Sequence, residues 1–203
     1  MIRSKDDFIS YVEADRARYP YYRHGWRARW DRMEEYYLVE FLYRLRKVEY
    51  LRNCRKDRNI FWKWIYLFHY HRYRRMAHRY LLNIAPNVCG PGLYLPHLGR
   101  ISAPNNVQIG ANCTLRPENF FAKSMTAADT RIHSKTVGDN VEFSTGCKIM
   151  CAKIGNNVLI GPNAVVMRNV PDDSMAVGNP ARIMPRINFS KPDDDDSNTG
   201  SDL

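Results

Sequence analysis

Six histidines and five cysteines are the residues of this 203-residue chain best suited to proton transfer, nucleophilic attack or metal binding. His97 stands in a glycine- and proline-rich frame, Gly90-Pro91-Gly92-Leu93-Tyr94-Leu95-Pro96-His97-Leu98-Gly99-Arg100-Ile101. Imidazole changes charge near pH 6.5, so a histidine held in such a frame can take up and return a proton at neutral pH. His133 follows in Arg131-Ile132-His133-Ser134, while His69, His71 and His78 lie among arginines and tyrosines and read as surface or interface residues. The cysteines (Cys54, Cys89, Cys113, Cys147, Cys151) contain no C-x-x-C pair. They read as small buried thiols of a reducing compartment, which predicts a cytoplasmic protein. A zinc site needs three or four ligands brought together. Beyond the N-terminal part only His97 and His133 are on offer, so no metal is expected.

The elements that must hold His97 are announced by a count of six. Apolar residues fall at Ala103, Ile109 and Leu115, again at Val137, Phe143 and Ile149, and after a one-residue slip at Ile154, Ile160 and Val166. Val107, Cys113, Val141, Cys147, Val158, Ala164 and Val170 stand four positions after most of these, and glycine follows several at once. Neither the 3.6 period of a helix nor the period of two of an ordinary strand sustains such a count. Stacked coils of a parallel β-helix do, each six-residue face sending one apolar side chain inward and placing one small residue at a corner. Evenly spaced hairpins are the alternative, and the absence of Asn-Gly and Asp-Gly turn pairs disfavours them. One long interruption, Asn119 to Lys135, is expected to project as a loop.

Composition changes near Pro86. Residues 1–85 carry 20 of the 31 Lys and Arg against 10 of the 21 Asp and Glu, and 20 of the 25 aromatics. The whole net charge of +10 therefore resides there. This segment reads as helices: Lys5 to Ala17, with Ser4 as N-cap and Asp6 and Asp7 in the first turn; about Trp30 to Leu51, with Met33, Tyr37, Phe41 and Leu45 at fours; and Ile60 to about Leu82. Asn83 to Gly92 then turns the chain through Pro86, Gly90, Pro91 and Gly92. Three parts are expected: a helical domain (1–85), a β-helix domain (86–189) and a disordered acidic tail (190–203). No apolar run approaches the ~20 residues that span a bilayer, and the first residues lack the apolar stretch of a signal peptide.

The run Ile154-Gly155-Asn156-Asn157-Val158-Leu159-Ile160-Gly161-Pro162-Asn163-Ala164-Val165-Val166, followed by Pro171 and Gly178-Asn179-Pro180-Ala181-Arg182, resembles the end of the hexapeptide-repeat acyltransferases. The His97 frame is similar to the active-site coil of serine O-acetyltransferases. Glu13-Ala14-Asp15-Arg16 and Arg46-Lys47-Val48-Glu49-Tyr50 bring the chain closest to the short serine-acetyltransferase-like enzymes of surface-polysaccharide synthesis. The resemblance implies a mainly β fold, a left-handed parallel β-helix with an N-terminal α-helical domain. It also implies a homotrimer with active sites shared between subunits, and acetyl-CoA as co-substrate.

By the same resemblance His97 is the general base, removing the proton of an acceptor hydroxyl as oxygen attacks the acetyl carbonyl. The family orients that histidine with a carboxylate upstream. Asn83 stands at the matching position and carries no charge, which predicts either a weaker base or a carboxylate supplied from elsewhere, with Asp15 as candidate. The acceptor, serine or a sugar, is expected near Arg100, Arg131 and His133, although Ile132 separates the Arg-His pair of the family. Coenzyme A is expected at Ser144, Thr145 and Gly161, with Arg168 and Arg182 toward its phosphates and Met167 where a polar residue is usual. Arg186 is a further basic candidate.

Other functions fit less well. The basic, aromatic N-terminal part interleaves its cations with acids and apolar stripes, which disfavours nucleic acid and weakens, without removing, a membrane-surface role. Zinc carbonic anhydrases sharing this β-helix need three histidines at the subunit boundary. A degenerate, non-catalytic trimer acting as a scaffold is the alternative to an enzyme, suggested by irregular coils at Phe143-Ser144 and Leu115-Arg116-Pro117-Glu118-Asn119. Retention of both the His97 frame and Gly178 to Arg182 argues against it.

Overall fold

Ser4 opens the first helix as its side chain predicts. Its Oγ accepts from the Asp7 N–H at 2.9 Å while Asp7 Oδ2 accepts from the Ser4 N–H at 3.1 Å, closing a capping box at the start of α1 (Lys5–Ala17). The computed structural model describes residues 1–22, 33–55, 59–122 and 135–186. The second helix, α2 (Glu34–Cys54), starts later than the Trp30 expected and runs three residues past Leu51; Trp30 itself lies outside the described residues. Its buried stripe is Leu38, Phe41, Leu42, Leu45 and Val48, one helical face packed between α1 and the third helix. That third helix, α3 (Ile60–Tyr80), is capped by Asn59, whose side chain accepts from the Trp62 N–H, and it packs on the first strand of the coil. Leu81, in the left-handed region at φ 59°, ends it.

From Leu82 the chain winds past three faces in rotation. The first face holds β1 (Leu82–Ile84), β2 (Ile101–Ala103), β5 (Asn119–Phe121), β8 (Lys148–Ile149) and β11 (Val165–Val166). The second holds β3 (Val107–Ile109), β6 (Lys135–Val137) and β9 (Lys153–Ile154). The third holds β4 (Thr114–Leu115), β7 (Glu142–Phe143), β10 (Leu159–Ile160), β12 (Ser174–Val177) and β13 (Arg182–Pro185). All pairings are parallel except β12 with β13, which turns back and closes that sheet antiparallel. The result is a three-sided parallel coil capped by helices.

All nine positions of the six-residue count are buried, and so are the seven residues four positions on. Each buried apolar side chain contributes about 1.5–3 kcal/mol, more than the ~1 kcal/mol net of a ladder hydrogen bond. The core therefore holds the coil together even though its strands are two to four residues long. Glycines make the stacking tight: a Cβ on Gly110 would lie 2.6 Å from the Gly138 carbonyl oxygen, and one on Gly138 would lie 2.7 Å from that of Gly155. Burial pushes the thiols of Cys113 and Cys147 up to about 11, so both stay protonated at neutral pH.

Three expectations change. The coil begins with β1, which runs from the expected end of the third helix at Leu82 into the stretch from Asn83 to Gly92 expected to be irregular, because Leu82 and Ile84 find inward positions opposite Ile101 and Ala103. The interruption is shorter than Asn119 to Lys135: Phe121 takes the next inward place after Leu115, its ring 5.3 Å from that of Phe143. The helices, of 13, 21 and 21 residues, hold more residues than all the short strands together, so the chain is α and β rather than mainly β.

Candidate functional site

His97 projects from a corner longer than its neighbours. Tyr94 bridges to Thr114 and Ile101 pairs with Asn119, so five residues, Pro96 to Arg100, cover the turn that Arg116 to Glu118 make in the next coil. The extra length lifts the imidazole away from the coil, and its side chain is 66% exposed in the single chain. Gly99, at φ 148°, lets the corner return over Pro117, which a Cβ would meet at 2.9 Å.

Two residues of the helical cap hold that corner. Tyr19, just past α1, donates its hydroxyl hydrogen to the Leu95 carbonyl at 2.9 Å and accepts from the Leu95 N–H at 3.0 Å. Its burial pushes the phenol far above its ordinary range, which keeps it a neutral donor. Glu34, the first residue of α2, spans the corner: Oε1 accepts from the Leu98 N–H, and Oε2 lies 3.3 Å from His97 Nδ1. Its place in the first turn of a helix also favours negative charge. Beside it, Glu35 keeps one buried carboxylate oxygen with no hydrogen-bond partner among the described residues.

The helices are themselves locked to the coil through Arg46. Fully buried, its guanidinium donates to Asp15 Oδ2 at 2.8 Å and Oδ1 at 3.2 Å, to Glu49 Oε2 at 3.0 Å, and to the carbonyls of Cys89 and Gly90 at 2.8 and 2.6 Å. Asp15 accepts in turn from the Leu93 N–H, and Glu49 from the Asn87 N–H. Burial alone would push the guanidinium pKa down, but the carboxylates of Glu49 and Asp15 outweigh it and hold it above its ordinary value. Asp15, Arg46 and Glu49 therefore form one network that fastens α1 and α2 to the segment leading into the His97 corner.

This placement corrects the expectation for Asp15: its oxygens are engaged by Arg46 and Leu93, and the carboxylate that meets His97 belongs to Glu34. Asn83 is exposed on β1, paired in register with Ser102, and no hydrogen bond joins it to His97 among the described residues. Glu34 escaped the sequence reading because 63 positions separate it from His97; its one signal was the acidic pair Glu34-Glu35 opening a helix.

The other candidates divide by edge. Ser144, Thr145 and Gly161 occupy corners between the third and first faces, the same edge as His97, stacked by Ser144 N–H to the Ile160 carbonyl and Asn163 N–H to the Thr145 carbonyl, both 2.9 Å. Arg182 is exposed at the upper end of that edge, paired with Val177. Met167 and Arg168, also exposed, sit past β11 at the next edge, which separates them from this row. Arg186 lies on a third edge, where it donates to Asn157 Oδ1 at 2.8 Å. Arg100 is exposed in the His97 corner, its carbonyl accepting from the Glu118 N–H. Arg131 and His133 lie outside the described residues. No group of three or more metal-ligating side chains occurs among the described residues.

A helical cap on a three-sided parallel coil is the architecture of several solved serine acetyltransferases, to which this fold is similar. Solved structures with this architecture include a soybean serine acetyltransferase apoenzyme (TM-score 0.61, 22% identity, covering 88% of this chain and 68% of that one). A Neisseria gonorrhoeae serine acetyltransferase in complex with serine is also similar (TM-score 0.65, 21% identity, 89% and 70% covered). A third is a serine acetyltransferase in complex with CoA (TM-score 0.60, 21% identity, 88% and 68% covered). In sequence, the chain is 36% identical over 84 residues to the serine acetyltransferase of Staphylococcus aureus and 35% identical over 83 to that of Staphylococcus epidermidis. Each match covers 38% of this chain and spans 39% of the relative's length. No protein-family model matches the chain.

Proposed function

We propose that this protein is an acetyl-CoA-dependent O-acetyltransferase acting on a small hydroxyl acceptor, with His97 as general base. The observation that carries the reading is the Glu34 carboxylate 3.3 Å from His97 Nδ1. With Nδ1–H donated to Glu34, Nε2 keeps its lone pair for the acceptor. As the acceptor oxygen attacks the acetyl carbonyl carbon, Nε2 takes the hydroxyl proton. When the carbon–sulfur bond breaks, the imidazolium returns that proton to the leaving thiolate, and Glu34 balances the transient positive charge.

Acetyl-CoA supplies the activated acetyl group. The row of corners above His97, with backbone groups at Ser144, Thr145 and Gly161 and the cation of Arg182 at its end, suits an extended, phosphate-bearing co-substrate. Met167 and Arg168 stand off that row, so Arg182 is the better partner for the phosphates. Serine is the leading acceptor, supported by the names of the relatives and by the ligands of the solved structures; a sugar hydroxyl is the second. By the same likeness the coil is left-handed and the protein a homotrimer, in which a neighbouring subunit covers the exposed His97; its unpaired cysteines suit the cytoplasm.

Thiol release from acetyl-CoA, measured against L-serine, nucleotide sugars and free amino sugars, tests the reading. Release with serine alone assigns the acceptor, and release with a sugar moves the enzyme to glycan modification. His97→Ala should lower turnover by about 10²–10⁴ while coenzyme A still binds. Wild-type turnover in that variant would remove the mechanism, and absence of coenzyme A binding by the wild type would return the chain to a scaffold.

A further inference from the structure

Helix α3 uses only one side to pack. Of its 21 residues Tyr73 and Ala77 alone are buried, while Ile60, Phe61, Trp64, Leu67 and Phe68 are 42–67% exposed. Helical spacing places these five on one side and continues that side into Arg72, Arg75 and Arg79. Arg72 lies over the Phe68 ring at 5.5 Å, joining the apolar half to the cationic half. Between α2 and α3 the same arginines, with Arg44, line an open cavity of about 740 Å³ whose one carboxylate, Glu40, is paired with Arg44. No carboxylate pairs with Arg72, Arg75 or Arg79 among the described residues. Helix α3 contains no Asp or Glu at all, so acids that alternate with bases along the sequence are separated from them in space.

We propose that this face of α3 docks on an anionic lipid bilayer. Trp64, Phe61 and Phe68 enter the interfacial region, and Arg72, Arg75 and Arg79 meet lipid phosphates there and at the cavity mouth. A second copy of the chain fits this face poorly, because a self-complementary contact opposes arginines to arginines with no carboxylate between them. No helix of the described residues is long and apolar enough to cross the membrane, so the contact is a surface one. His97 is on a different element, which makes docking and catalysis separable.

Flotation of the full chain with vesicles of phosphatidylcholine, alone or with about 30% phosphatidylglycerol, tests the proposal. Binding is expected with the anionic vesicles, at least tenfold weaker with the neutral ones, and reversed by about 0.5 M salt, which screens surface charge within a few Å. Arg72→Glu/Arg75→Glu and Trp64→Ala/Phe68→Ala should each weaken binding by about tenfold or more, with unchanged circular dichroism and coenzyme A affinity. Failure of the wild type to float with anionic vesicles, equal binding to both lipids, or unaltered binding of both variants overturns the proposal. So does self-association abolished by Trp64→Glu in a protein that ignores vesicles, which would give the face to a second copy.

Discussion

Glu34 occupies the position at which one carboxylate does two jobs. Its Oε1 receives the Leu98 N–H, fixing the corner, and its Oε2 faces His97 Nδ1, where under the proposed function it selects the tautomer. A hydrogen bond to a charged group is worth about 1.5–3 kcal/mol, and on this reading Glu34 supports the imidazolium only during transfer. Glu34→Gln should therefore lower kcat by roughly 10- to 100-fold with little change in KM for acetyl-CoA. Steady-state kinetics decide it: a raised KM at constant kcat would make Glu34 a binding residue instead. Asp15→Asn, by contrast, should act on folding stability, since its partners are Arg46 and Leu93.

At the scale of elements, two devices set the stability of the site. The first is the buried Arg46 network that fastens α1 and α2 to the segment Cys89 to Leu93. Arg46→Met strands the Asp15 and Glu49 carboxylates in the interior, and a loss of about 3–5 kcal/mol in urea unfolding is expected. Adding Asp15→Asn and Glu49→Gln should recover part of it, because no unpaired charge then remains. The second is the column of glycines between coils. A Cβ on Gly138 would stand 2.4 Å from Asn156 Oδ1 and 2.7 Å from the Gly155 carbonyl, so Gly138→Ala should cost about 1–3 kcal/mol by forcing adjacent coils apart. A melting temperature equal to wild type would show that the coil spacing yields more easily than close packing allows.

At the scale of the molecule, a strongly basic helical cap sits on the coil, with His97 at the junction. Its imidazole is more open to solvent than a base working on a thioester should be, since water competes both for the acetyl group and for the proton. A neighbouring subunit against the His97 edge would remove that exposure. Sedimentation equilibrium should accordingly return three times the chain mass of 23.8 kDa. A monomer that still turned over would place the whole site within one chain.

Much of this architecture was legible because it is local and periodic. Positions six apart share one environment, so the inward residues from Ala103 to Val170 declared themselves, as did Ser4 before an acidic first turn. The His97 frame was legible for a similar reason: glycine and proline shape a corner from within it. Phe121, six positions after Leu115, was missed because the count lapses in the segment beyond it, and β1 because turn-forming residues follow it at once, though both fill inward places. Contacts across the chain were beyond reach. Nothing at position 34 announces a partner at 97, nothing at 15 announces Arg46, and nothing in the alternation of acids and bases reveals a helix whose exposed side is free of acids. By itself the sequence determined the repeat and the helical cap, because local chemistry and period suffice for these, and its resemblance to a family singled out the candidate base. Tertiary structure alone decided which carboxylate reaches the histidine, which corners share its edge and where the cations gather, because each depends on packing between residues far apart in the chain.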